Sequence, residues 1–130
     1  MKNKKILLID NDASALESMS TFLVELGYEV LTARNCITGL EIVKNLIPDV
    51  VVSDIRISGL NGIEFALVIK GLNYNIPVIL ISSYDMKGNS IIDKCSFGYL
   101  QKPLDICEFK KMIIKAVSDG YQKCNELVNC

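Results

Sequence analysis

The sequence predicts an α/β fold, a doubly wound five-stranded parallel sheet with helices on both faces. Three observations predict it. Short apolar, β-branched runs alternate with segments whose apolar residues recur every three or four positions. The connections between them are short, which favours a layered parallel sheet. Each apolar run also ends in polar residues, as at the open carboxyl edge of such a sheet.

Taken in order, "KKILLID" reads as a buried strand ending at Asp10. From Ser14 to Leu26, the residues Leu16, Met19, Leu23 and Leu26 fall at helical spacing, and Gly27 closes that helix. "YEVLTA" is the second strand. Ile37, Leu40, Val43 and Leu46 mark a second helix, stopped by Pro48. "DVVVSD" is the third strand. A turn around Gly59 and Asn61-Gly62 leads into a third helix through Phe65, Val68 and Ile69. "PVILISS" is the fourth strand. Residues 85 to 96 form a fourth helix, although "DMKGNS" is a poor helix sequence. "FGYLQ" is the fifth strand. "LDICEFKKMIIKAV" is the fifth helix, with Asp105 and Glu108 as a capping box and Phe109, Met112, Ile113, Ala116 and Val117 facing the core. After Ser118 the apolar period fades, so residues 1–118 read as the domain and 119–130 as a tail or the start of a linker.

Composition bounds the function. The 130 residues suit one domain, and with 50% hydrophobic and 22% charged residues the chain reads as globular rather than disordered. A formal net charge of -1 offers no nucleic-acid footprint or basic membrane face. No apolar run reaches membrane-span length, and the run after "MKNKK" is too short for a signal peptide, so a cytoplasmic location is expected. Five widely spaced cysteines without a Cys-x-x-Cys, and no histidine, argue against a zinc site or a disulfide framework. The lack of histidine also excludes a Ser-His-Asp or Cys-His mechanism and a phosphohistidine on this chain.

The strand ends carry the chemistry. The first ends at Asp10, Asn11 and Asp12, the third at Asp54, the fourth at Ser82 and Ser83, and the fifth at Lys102. Singly, each has a plainer reading: Asp12 or Ser14 as an N-cap, Ser82 as a satisfied core hydroxyl, Lys102 as a solvated lysine. Four such groups on one sheet edge point instead to one site. Clustered carboxylates repel unless a cation joins them. Oxygen ligands without His or Cys favour a hard ion such as Mg2+. A lysine and a hydroxyl at the same point suit a phosphoryl group, and a carboxylate can be the nucleophile that accepts it.

Through "LLIDND", "DIRISGLNG", "VILISS" and "YLQKPL", in that order, the sequence resembles the receiver domains of two-component response regulators, over roughly residues 4 to 118. The resemblance implies a flavodoxin-like sheet of order 2-1-3-4-5. It implies that Asp54 accepts a phosphoryl group from the phosphohistidine of a histidine kinase or phosphotransfer protein, with Mg2+ as cofactor. By the same resemblance, Asp10 and Asn11 occupy the metal-binding acid pair and Arg56 offers a backbone carbonyl to the metal. Ser82 and Lys102 contact the phosphoryl group, and Tyr99 is the aromatic that reports the switch. The chain departs from the family at Asn11, which replaces an acid and implies weaker Mg2+ affinity, with Asp12 as a compensating ligand. It departs at Ser58, where a proline is usual and a looser loop is implied. The Arg56 side chain either covers the pocket or points to solvent. Ser82 and Lys102 are about two positions closer than is common, a shortfall falling in the fourth helix. The implied output is a change of the face formed by the fourth helix, fifth strand and fifth helix, through a C-terminal output domain or a phosphorylation-dependent homodimer. Direct nucleic-acid or membrane binding by the domain is not expected. The chain is then not a conventional enzyme, though it would catalyse its own phosphorylation and dephosphorylation. Two competing readings are a phosphorylation-independent pseudo-receiver and a haloacid-dehalogenase-like phosphatase using Asp10.

Overall fold

A computed structural model describes residues 3–57, 59, 61–72 and 74–129, with side chains as far as Ser118. Among the described residues, strands and helices alternate as β1 (Lys5–Ile9), α1 (Ala13–Glu25), β2 (Glu29–Ala33), α2 (Cys36–Leu46), β3 (Val50–Asp54), α3 (Gly62–Gly71), β4 (Val78–Ser82), α4 (Ser90–Cys95), β5 (Gly98–Gln101) and α5 (Ile106–Asn129). The sheet is parallel throughout, in the order β2-β1-β3-β4-β5. The order reverses between β1 and β3, so the crevice at their carboxyl ends is the natural place for a site.

Successive strand residues point to opposite faces, and the core divides accordingly. Leu7, Ile9, Val51 and Leu80 meet Val43, Phe65, Ile69 and Ile92 from α2, α3 and α4. Ile6, Leu8, Val52 and Ile81 meet Leu16, Leu23, Phe109 and Ile113 from α1 and α5. The central strands are therefore buried on both faces, and continuous Val/Ile/Leu runs follow from that. Each helix begins at an Asp or Asn whose side chain accepts backbone N–H groups of the first turn: Asp12, Asn35, Asn61, Asn89 and Asp105.

Two elements differ in extent from the sequence expectation, and a third packs in a way its pattern does not show. In α2 the buried residues are Cys36, Gly39 and Val43, whereas Ile37 is 68% exposed and Leu46 is also exposed. Gly39 faces the sheet because a Cβ there would lie 2.7 Å from Ile9 Cδ1. The helix thus meets the sheet through a glycine, which an apolar periodicity does not reveal. The helix expected over 85 to 96 is confined to Ser90–Cys95. Gly88 has φ +81°, outside helical space, and Asn89 starts the helix by capping Ile91 and Ile92. In α5 the backbone stays helical to Asn129, past the loss of apolar period at Ser118. No proline follows Pro103, so nothing in the covalent chain forces an earlier stop.

Phe65 is fully buried between α3 and the sheet. Its replacement by Ala is expected to cost about 3–5 kcal/mol, read as a lower urea midpoint at an unchanged denaturant slope.

Candidate functional site

The site is built at the carboxyl edge from three strand ends. Asp10 follows β1, Asp54 closes β3, and Lys102 follows β5. The Lys102 ammonium lies 3.0 Å from Asp10 Oδ2 and 2.6 Å from Asp54 Oδ2. Both carboxylates are buried, Asp10 at 3% and Asp54 at 9% exposure. Two such charges are tolerable only with a shared counter-ion, and Lys102 is that ion. Burial alone would lower the Lys102 pKa. The hydrogen bonds and charges of Asp54 and Asp10 outweigh it and raise the pKa above the ordinary lysine value.

Each strand-end residue is oriented by the backbone just beyond it. Asp10 Oδ1 accepts from Asp12 N–H at 3.0 Å, Asp54 Oδ1 from Arg56 N–H at 2.9 Å, and Ser82 Oγ from Tyr84 N–H at 3.0 Å. Ser82 is 3% exposed, and its carbonyl accepts from Lys102 N–H at 2.7 Å. The loop after Asp54 closes when Gly62 N–H donates to the Ile55 carbonyl at 2.7 Å. A Cβ on Gly62 would lie 2.6 Å from the Asp54 carbonyl oxygen, so a glycine is needed there.

The expected site residues therefore fall into groups. Asp10, Asp54 and Lys102 are in direct contact. Ser82 joins them through the backbone pairing of β4 with the Lys102 segment. Asn11 Nδ2 donates to the Arg56 carbonyl at 3.1 Å, which joins two of the expected metal-binding groups. Asp12 is the N-cap of α1, its Oδ1 accepting from Ser14 N–H. Arg56 does not extend to solvent alone: its Nη2 donates to the Tyr84 hydroxyl at 2.7 Å, with the guanidinium carbon 4.6 Å from the ring centroid. The Tyr99 hydroxyl accepts from Met86 N–H at 3.0 Å and donates to the Tyr84 carbonyl. Ser58, where a looser loop was expected, lies outside the described residues.

Sequence reasoning missed two residues. Tyr84 touches Ser82, Arg56 and Tyr99, and its signal was an aromatic in an otherwise polar strand-end turn. Arg34 donates through Nε and Nη2, at 3.2 and 2.7 Å, to the Asn11 carbonyl. A basic residue after β2 carried no signal that pointed to β1. Beside the site, a cavity of about 600 Å³ opens between α1 and the start of α5, with Asp12, Met19, Phe22, Lys102, Ile106 and Phe109 among its lining residues.

The family model for the response regulator receiver domain matches residues 6–114. The chain belongs to that family. Sporulation initiation phosphotransferase F of Bacillus subtilis is 31% identical over 118 residues, covering 88% of this chain and 94% of that protein. The transcriptional regulatory protein ZraR of Klebsiella oxytoca is 31% identical over 115 residues, covering 87% of this chain. The chain spans 26% of ZraR's length. Among solved structures, the response regulator TrrA of Thermotoga maritima, in complex with Mg2+ and BeF, superposes with a TM-score of 0.80 at 27% identity, covering 87% of this chain and 98% of that one. The parallel sheet order and the receiver assignment thus agree with the sequence expectation.

In this receiver, Lys102 is expected to titrate above the ordinary lysine value of about 10.4, because its charged form has two carboxylate partners. For a raised lysine pKa, the stabilisation is complete below the unfolded-state value and is lost as pH rises through the folded-state value. An NMR titration of the lysine Cε resonances should show Lys102 as the last, or among the last, to deprotonate.

Proposed function

We propose that this receiver takes a phosphoryl group onto Asp54 from a partner's phosphohistidine and uses it as a signalling switch. The observation that carries the reading is the Lys102 ammonium 2.6 Å from an Asp54 carboxylate that is buried but not sealed. One Asp54 oxygen attacks phosphorus as the P–N bond to the partner's histidine breaks. The imidazole leaves with the bond pair and takes a proton from water. The product is an acyl phosphate, and attack by water on phosphorus regenerates the carboxylate. Lys102 holds the nucleophile in place and is close enough to neutralise a phosphoryl oxygen. The Ser82 hydroxyl, already accepting from Tyr84, has its own hydrogen to donate.

The residues fit a Mg2+ ion. Asp10, Asp54 and the Arg56 carbonyl offer only hard oxygen donors, and Mg2+ is commonly held by one or two carboxylates with water and phosphate completing the shell. Lys102 shows that a cation already bridges the two carboxylates. When bound, the metal would supply positive charge to the transferring phosphoryl oxygens. Asn11 would add a neutral ligand.

The switch runs through Tyr84. Moving Ser82 toward a phosphoryl group would pull on the Tyr84 backbone, whose carbonyl accepts from Tyr99. Repacking of Tyr99 would then alter the face made by α4, β5 and α5. The partners implied are a histidine kinase or phosphotransfer protein, and as output either a C-terminal domain or a homodimer. The apolar cavity beside Lys102 would receive side chains of the phosphoryl donor. A phosphatase reading through Asp10 has less support, since the receiver-domain family model matches residues 6–114.

With a small phosphodonor and Mg2+, labelling is expected on Asp54 and is expected to be lost in Asp54→Asn and Asp54→Ala. Peptide mapping checks it. Label on Asp10 would favour the phosphatase reading, and no label with no Mg2+ binding would favour a pseudo-receiver.

A further inference from the structure

The side chain at position 11 does more here than dilute an acidic pocket. A backbone carbonyl only accepts hydrogen bonds, so the group facing the Arg56 carbonyl must be the NH2 end of Asn11. That end cannot bind a cation. A carboxylate at this position could not make the contact at all, because two acceptors would face each other. Behind Asn11, both Nε and Nη2 of Arg34 converge on its carbonyl, at 3.2 and 2.7 Å. Three segments are thereby tied in series: the turn between β2 and α2 through Arg34, the loop after β1 through Asn11, and the loop after β3 through Arg56.

We infer that Arg34 and Asn11 form a metal-free clamp on the Arg56 carbonyl, and that Mg2+ must open this clamp to bind. Arg34 is a positioning residue that acts through Asn11. The inference rests on the proposed Mg2+ site. For Asn11 to offer its Oδ1 to a cation, its amide must turn, and the bond to Arg56 is lost. The amide's partial positive charge and the cation also compete for one carbonyl oxygen. The clamp thus takes over, in the metal-free protein, the loop-joining role that a cation plays in an all-acid pocket. It lowers Mg2+ affinity by stabilising the state the metal must leave.

The fork makes the role separable from charge. Lysine keeps the charge of Arg34 but cannot place two donors on one carbonyl. The test uses 15N-labelled protein in EDTA, then titrated with MgCl2, with calorimetry in parallel, on the wild type, Arg34→Lys and Arg34→Gln. The Asn11 side-chain amide protons should exchange more slowly in the metal-free wild type than in either variant. Mg2+ should shift the Asn11 side-chain signals. Both variants should bind Mg2+ more tightly, by about threefold, the size expected for loss of one modest hydrogen bond. Wild-type affinity in Arg34→Lys with tighter binding in Arg34→Gln would mean that only charge matters, and would overturn the clamp. So would weaker binding in both, or Mg2+ binding that leaves the Asn11 signals in place. If the wild type binds no Mg2+, the metal reading fails. The exchange comparison in EDTA still decides the clamp, and equal exchange in wild type and Arg34→Lys would sink it.

Discussion

One ammonium holds this edge of the sheet together. Lys102 sits between Asp10 and Asp54 and bonds both. The two carboxylates come from adjacent strands, β1 and β3, whose ends the sheet order places at the switch point. Without a cation between them, two buried carboxylates would repel. The lysine comes from β5, two strands away from β3. Closing the site therefore requires β4 and β5 to be in register, and the Lys102 N–H to Ser82 carbonyl bond extends that register beyond the last residues of the strands. The proposed chemistry and the tertiary fold would depend on the same contact.

Around that ion pair, one local device recurs. Asp10, Asp54 and Ser82 each accept the N–H two residues onward. This is the turn that Asp and Ser side chains favour when a strand ends. It fixes one oxygen of each carboxylate and leaves the other to Lys102. The plainer reading of such residues, as turn formers, holds here and is compatible with a functional one. The turn supplies the orientation that the proposed chemistry at the second oxygen would require.

What the sequence made legible follows from this division. Strands buried on both faces show as unbroken apolar runs, and strand ends show as the polar residues after them, so Asp10, Asp54, Ser82 and Lys102 could be placed on one edge. Contacts that depend on how helices and loops approach one another could not. Gly39 turns the face of α2 because it fits under Ile9, although Ile37 and Leu46 dominate the hydropathy pattern. The fourth helix was overlong because Gly88 and Asn89 read as a weak interior rather than as a start signal. Tyr84 and Arg34 act through backbone groups of residues distant in sequence, and no local pattern encodes a partner's carbonyl.

Charge links these observations to the exchange of Asn for an acid. Asp10, Asp54 and Lys102 together carry one net negative charge, and an acid at position 11 would make it two. An extra charge would draw Mg2+ more strongly, but it would also leave the metal-free loops pushed apart. Asn11 reverses both effects, since a neutral amide attracts a cation less and can donate to the Arg56 carbonyl. Arg34, from the turn after β2, adds a positive group against the Asn11 carbonyl. Arg56 and Tyr84 form a further tie between the β3 and β4 loops. The loops after β1, β3 and β4 are thus connected by the protein's own donors, and in this arrangement a metal would have to displace one of them from the Arg56 carbonyl. Its contribution would lie in the charge it brings to a phosphoryl group, more than in assembling the loops that receive it.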